Sequence, residues 1–550
     1  MTEIFKFFKR TLEEFNLSNH RFYLWKNKTY FMLNYLIKNA RICTGLNEKS
    51  TIKTVGISDD KIVVFENNEN LPEAKKVIDA KGLILAPGFI DPHASTGFGY
   101  FFPEAANHKL YQGITTEIFG NCGTSPAPIG EYLMPTMKRL SDEIGFPFDW
   151  KTTDEYFNRI HDKLQFNIAT LVGHSTLRAG NMDDWKSLKP EQLEVMKSEL
   201  AKAMDEGAIG FSTGLIYAPG CFAEMNEIVE LAKVVAEKGG VYASHIRDER
   251  NNVEEAIDEA LTISEAANVR TLISHLKAAE QQNWGKIPKI IQQIETFNET
   301  HPNLQAAIDV YPYTAISTKL RAFIPNYILK EGIANIPKKL EDKKVVEDIA
   351  DWIKIRDYDL TQMMIISDEF PEYFGKTVAQ ISTERQLSES EMIAEILTKS
   401  TETWIVYHCI NQDDIDTAIL WKKAMICTDS WSYPINAPKS IGQPHPRSYG
   451  AFTEYLERYV LNLKALDWEE AIHKITYLPA QFFNLKNRGQ IANDYFADLV
   501  LINPDTLKAN ATYTAPRSLS DGVEYLWVNG ELVIEERKIR EGNPGRILKN

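Results

Sequence analysis

Five separate apolar runs in this chain each close on one metal-capable or acidic side chain. That recurrence constrains the fold more than any bulk property. Phe-Ile-Asp-Pro leads to His93, Glu-Ile-Phe-Gly-Asn to Cys122, Val-Tyr-Ala-Ser to His245, Thr-Leu-Ile-Ser to His275, and Met-Ile-Cys-Thr to Asp429. Each run reads as a short buried strand ended by turn residues. Strand ends at His93, Cys122, His174, Thr213, His245, His275 and Tyr311 are 29, 52, 39, 32, 30 and 36 residues apart, enough each time for a helix and a return. Helical patterns at 192–206, 224–237 and 253–267 fill such gaps, so the chain alternates β and α as parallel barrels do. At the C-terminal edge of such a barrel the strand ends carry the chemistry.

The gap from Tyr311 to Asp429 is far longer and holds a further strand-like run, Trp-Ile-Val-Tyr-His-Cys at 404–409. Nine candidates then compete for eight places, which predicts an inserted segment covering the substrate, set at about 314–402. Alternating runs before Leu85 and after Leu485 predict two β regions too small to stand alone. The fold expected is α/β, a (β/α)8 TIM barrel over residues 88–485 with a small β-sandwich domain built from both chain termini, 31–87 plus 486–550. Residues 1–30, with Phe5, Phe8, Leu12 and Phe15 at helical spacing, read as an N-terminal extension without an assigned role.

A net charge of −15, from 61 basic and 76 acidic residues, disfavours nucleic acid and anionic membranes as partners. Five scattered cysteines in 550 residues argue against a disulfide framework. No signal-peptide core or membrane-length apolar run is present, so a cytoplasmic location is expected. The partner expected is a small molecule, and a homo-oligomer is open.

Zinc is held by deprotonated N, S or O ligands, and a catalytic site leaves one position for water. Cys122, His245 and His275 supply three ligands on different strands. The Ser-His pair recurs at 244–245 and 274–275, one βα period apart. Such an ion polarises a carbonyl and activates water. Asp429 could then accept the water's proton and return it to a leaving amine. On an acidic protein a carboxylate-binding pocket needs cations, for which Lys277 and Arg447 are placed. Tyr311 or Tyr313 could donate to an oxyanion. His174 and His408 also end apolar runs and read as packing or supporting groups.

These stretches resemble the amidohydrolase superfamily and, within it, the D-aminoacylase (N-acyl-D-amino-acid deacylase) group. The resemblance runs from about Ile37 to Ile534. It is carried by Pro-Gly-Phe-Ile-Asp-Pro-His at 87–93, Gly-Asn-Cys-Gly at 120–123 and Gly-Leu-Ile-Tyr-Ala-Pro-Gly at 214–220. Ser-His-Ile-Arg-Asp-Glu at 244–249, Ser-His-Leu-Lys at 274–277, Asp-Val-Tyr-Pro-Tyr at 309–313 and His-Pro-Arg at 445–447 extend it. It implies zinc on Cys122, His245 and His275, Asp429 as catalytic acid/base, and hydrolysis of N-acyl-D-amino acids. It also implies substrate held by Lys277, by Tyr311 or Tyr313, and by Arg447.

One departure stands out: the superfamily's first strand normally ends His-x-His, and here it ends His93-Ala94-Ser95. One zinc per chain is therefore expected, with His93 a weak ligand, a supporting group or a structural residue. Hydrolysis of a cyclic or dipeptide-like amide, and a catalytically impaired binding module, are the alternatives.

Overall fold

A computed structural model describes residues 32–549 apart from 67–68, 96, 103, 184–187, 331 and 433–442. The expected extension at 1–30 lies outside the described residues. Strands β1 (Leu33–Ile42), β2 (Thr51–Ser58), β3 (Lys61–Phe65), β4 (Ala74–Asp79) and β5 (Ile84–Pro87) open the chain, and β17 (Leu499–Ile502), β18 (Val523–Val528), β19 (Glu531–Glu535) and β20 (Lys538–Ile539) end it. Both groups share one nine-stranded sheet, joined where β5 runs antiparallel to β17. Strand β1 changes neighbour along its length, pairing parallel with β4 at Leu33–Lys38 and with β5 at Arg41–Ile42. The sheet splits at Asn39, whose φ is 62°. It curls about a core that includes Ile37, Val55, Leu499 and Trp527.

The second sheet is parallel and has eight strands: β6 (Phe89–Asp91), β7 (Ile114–Phe119), β8 (Asn167–Gly173), β9 (Gly210–Gly214), β10 (Val241–His245), β11 (Arg270–Ile273), β12 (Ala306–Val310) and β16 (Ala424–Ile426). Its ladders run from β6 to β16 in chain order, save that the segment between β12 and β16 is left out. The ring closes between the residues that follow β6 and β16, through a parallel bridge of Ala94 with Ser430 and the bond from Asp429 N–H to His93 C=O, 3.0 Å. Small and branched side chains alternate inside it, Ala169, Ala243 and Ala307 against Ile118, Leu171 and Leu272. Such layers fill a barrel rather than leave a pore. Helices Pro190–Glu206, Met225–Glu237 and Val253–Ala267 cover the outside and end where the sequence periodicity ended them.

The ninth candidate strand, β15 (Trp404–His408), is not in the ring. It lies between β13 (Ala315–Lys319) and β14 (Met363–Ile365) in a three-stranded antiparallel sheet. That sheet and its helices stand between β12 and β16. No helix of the described residues is long and apolar enough to cross a membrane.

Candidate metal centre

The five side chains that opened the sequence reading converge at the C-terminal mouth of the ring. Cys122 Sγ lies 3.2 Å from His93 Nε2, 3.3 Å from His275 Nε2 and 3.5 Å from His245 Nδ1. Asp429 Oδ1 lies 3.5 Å from His93 Nε2. Three of these residues have left-handed backbone: Cys122 (φ 53°), His275 (φ 33°) and Asp429 (φ 43°). Non-glycine residues adopt that region at a cost of about 1–3 kcal/mol, which the surrounding structure has to impose. Here the turn leaves each side chain aimed across the barrel axis. Cys122 is the clearest case, because Gly120 and Gly123 on either side are left-handed too. A β-carbon on Gly120 would come within 2.1 Å of the Leu171 carbonyl.

Carboxylates orient the histidines from behind. Asp309 Oδ2 lies 3.2 Å from His93 Nδ1, while its Oδ1 accepts the His275 N–H at 2.7 Å. Glu249 Oε1 lies 3.1 Å from His275 Nδ1 and accepts from Lys277 Nζ at 2.6 Å. An acceptor at His93 Nδ1 leaves its Nε2 lone pair facing Cys122, whereas His275 Nδ1 has both Glu249 and, at 2.8 Å, Lys277 Nζ beside it. Neither acid received a role from the sequence, although both lie inside motifs singled out there. Only the fold tells which of several acids stands behind a histidine.

The electrostatics suit a cation. Burial works against the Cys122 thiolate, yet His93 and His275 outweigh it and hold the thiol below its usual range. Burial pushes His245 down to about 4, which keeps its imidazole neutral and able to donate a lone pair. The separations about Sγ, 3.2–3.5 Å, match the edges of a tetrahedron with bonds of about 2.0–2.3 Å. Thiolate, imidazole and carboxylate together fit zinc or a similar borderline ion.

The groups expected to hold substrate are differently engaged. Lys277 is buried against Glu249 and His275 rather than standing free. Arg447 Nη2 pairs with Asp429 Oδ2 at 2.9 Å, and its guanidinium lies 4.5 Å from the Tyr311 ring centre. The two tyrosines part company. Tyr311 lies under Arg447 and Lys277, with its hydroxyl buried and unpartnered among the described residues. Tyr313 turns to the helix Arg447–Leu456, where its hydroxyl would sit 2.9 Å from a β-carbon on Gly450. The Tyr313 hydroxyl is buried and unpartnered among the described residues as well, and both rings neighbour His445. His174 Nε2 meets Glu227 at 2.8 Å, outside the cluster, and His408 packs on Tyr513.

Comparison with known proteins decides the family. Its model, described as amidohydrolase family, matches residues 76–315 and 437–534. The chain belongs to the amidohydrolase family. An N-acyl-D-glutamate deacylase of Alcaligenes xylosoxydans xylosoxydans is 32% identical over 523 residues, which is 94% of this chain and 96% of that one. The N-acyl-D-glutamate deacylase of Bordetella bronchiseptica was solved with zinc and a phosphonate that mimics the tetrahedral intermediate. This amidohydrolase matches it with a TM-score of 0.79 and 28% identity, over 94% of this chain and all of the other. A D-aminoacylase structure matches at 0.78 and 28%, over 94% and 100%. It has a binuclear metal centre, with activation by one metal and attenuation by the second. This amidohydrolase is thus a hydrolase of amide-type C–N bonds, and a metal cofactor suits both its donor set and those relatives.

Proposed function

We propose that the chain hydrolyses the amide bond of N-acyl-D-amino acids, giving a carboxylate and a free D-amino acid. The observation that carries this reading is the Asp429 carboxyl group, held by Arg447 at 2.9 Å beside Cys122, His93 and His275. Cys122, His245 and His275 would hold one zinc, with His93 contributing weakly. When bound, the ion supplies a Lewis acid for the amide carbonyl and makes water nucleophilic near neutral pH. Asp429 takes the proton of the attacking water and returns it to the leaving nitrogen. Tyr311, Lys277 and Arg447 border the same space and would engage the substrate's carboxylate and carbonyl oxygens.

Ser95 stands where the superfamily's first-strand pattern has its second histidine, which favours one-metal chemistry. A panel of N-acetyl-D-amino acids with L-enantiomers as controls tests the reading. Turnover of the D forms alone is expected. Turnover of neither enantiomer, by protein that retains zinc, would favour the catalytically impaired module.

A further inference from the structure

One buried charge cluster lies outside the donor set, at the seam where the barrel closes. The seam is thin: β6 and β16 share no ladder, and the segments after them meet through the Ala94–Ser430 bridge. Side chains take over where the backbone pairing is missing. Asp91, at the end of β6, accepts from the Thr428 N–H at 3.1 Å with Oδ1 and from the Thr428 hydroxyl at 2.5 Å with Oδ2. Lys109, on the short helix Asn107–Leu110, is fully buried and uses all three of its donors here. They reach Asp91 Oδ2 at 2.6 Å, Thr428 Oγ1 at 2.6 Å and, on β7, Glu117 Oε2 at 3.1 Å. One ammonium therefore ties β6 and β7 to the segment that follows β16.

His93 is two residues beyond Asp91, and Asp429 is the residue after Thr428. These two strand ends carry the pair separated by 3.5 Å, His93 Nε2 and Asp429 Oδ1. We propose that Lys109, through Asp91 and Thr428, is a positioning residue that sets the placement of Asp429 relative to His93. A buried ammonium with two carboxylates is a costly way to add stability alone, since well-packed apolar residues often do as well. Its use is geometric, because the barrel's weakest seam carries the residue whose position matters most. A shift of about 1 Å at a reacting group can cost on the order of a hundredfold in rate.

This proposal rests on Asp429 being the proton carrier, and the test separates the two. Thr428→Val removes the bridging hydroxyl and leaves the charges paired, whereas Thr428→Ser restores the hydroxyl. Zinc content, thermal midpoint, kcat and KM on an N-acetyl-D-amino acid, and a crystal structure of each variant are compared with the parent. Thr428→Val should keep its zinc and KM, lose about tenfold or more in kcat, and show a changed His93–Asp429 separation. Thr428→Ser should recover both kcat and separation. Lys109→Met should lose more if it folds.

An unchanged separation in Thr428→Val overturns the proposal, whatever the activity. So does a changed separation with unchanged kcat. A parent that cleaves no N-acyl amino acid would refute the functional reading instead, while the crystallographic separation still decides the positioning role.

Discussion

Arg447 holds Asp429 at two points: Nη2 lies 2.9 Å from the carboxylate Oδ2, and Nε donates to the main-chain carbonyl at 3.0 Å. The fork fixes both the side chain and the left-handed backbone of the residue assigned to proton transfer. Burial opposes ionisation of Asp429, but Arg447, His275, His93 and Lys277 outweigh it and hold the carboxyl well below its usual range. Asp429 is then a carboxylate at neutral pH, the form a general base requires.

Asp429→Asn should therefore keep its zinc and lose about a thousandfold in kcat, since the amide cannot carry the proton. Metal analysis beside steady-state kinetics checks this. Loss of the ion along with activity would instead make Asp429 chiefly a ligand.

Purified protein is expected to carry close to one zinc per chain. Cys122→Ala should lose it, because Cys122 Sγ lies within 3.5 Å of all three imidazoles. Ser95→Ala should hardly alter the content. Two tightly held ions per parent chain, measured by atomic emission after dialysis, would defeat the one-metal reading.

Glu249→Gln addresses the support behind the centre. Its carboxylate touches His275 Nδ1 and Lys277 Nζ, and the Lys277 ammonium keeps it ionised against burial. Removing the charge should weaken zinc binding or turnover by roughly 10–100-fold, read by competition with a chelator. Unchanged affinity and unchanged turnover would leave Glu249 only as a partner for Lys277.

The strand ends were legible because each strand that carries one of the five candidate side chains is a short apolar run stopped by turn residues, so residue type and period agree. His93, Cys122, His245, His275 and Asp429 needed no structure to be picked out, and the excess of strands foretold that one would fall outside the ring. What was not legible depends on neighbours distant in sequence. Asp309 and Glu249 look like ordinary acids until the barrel sets them behind His93 and His275. Lys109, in Asn-His-Lys-Leu, carries no pattern that singles it out, and its burial among two carboxylates and a hydroxyl shows only in the fold. Tyr311 and Tyr313 flank one proline, and only the turn after β12 shows what each meets, Arg447 and Lys277 for the first and Gly450 for the second.

Substrates with a free α-carboxylate should be preferred, because Lys277, Arg447 and the Tyr311 hydroxyl gather beside the donor set. Arg447 also steadies Asp429, so Arg447→Ala is expected to lower kcat on every substrate as well as to raise KM on acids. The ratio of kcat/KM between an N-acetyl-D-amino acid and its amide separates the two roles. In the parent that ratio should be large, since guanidinium grips carboxylate with paired bonds that a neutral amide cannot match. In Arg447→Ala it should fall toward unity, and the loss shared by both substrates then measures the tether to Asp429. If the parent cleaves the acid and its amide equally well, no carboxylate pocket exists there and hydrolysis of a cyclic amide becomes the better reading.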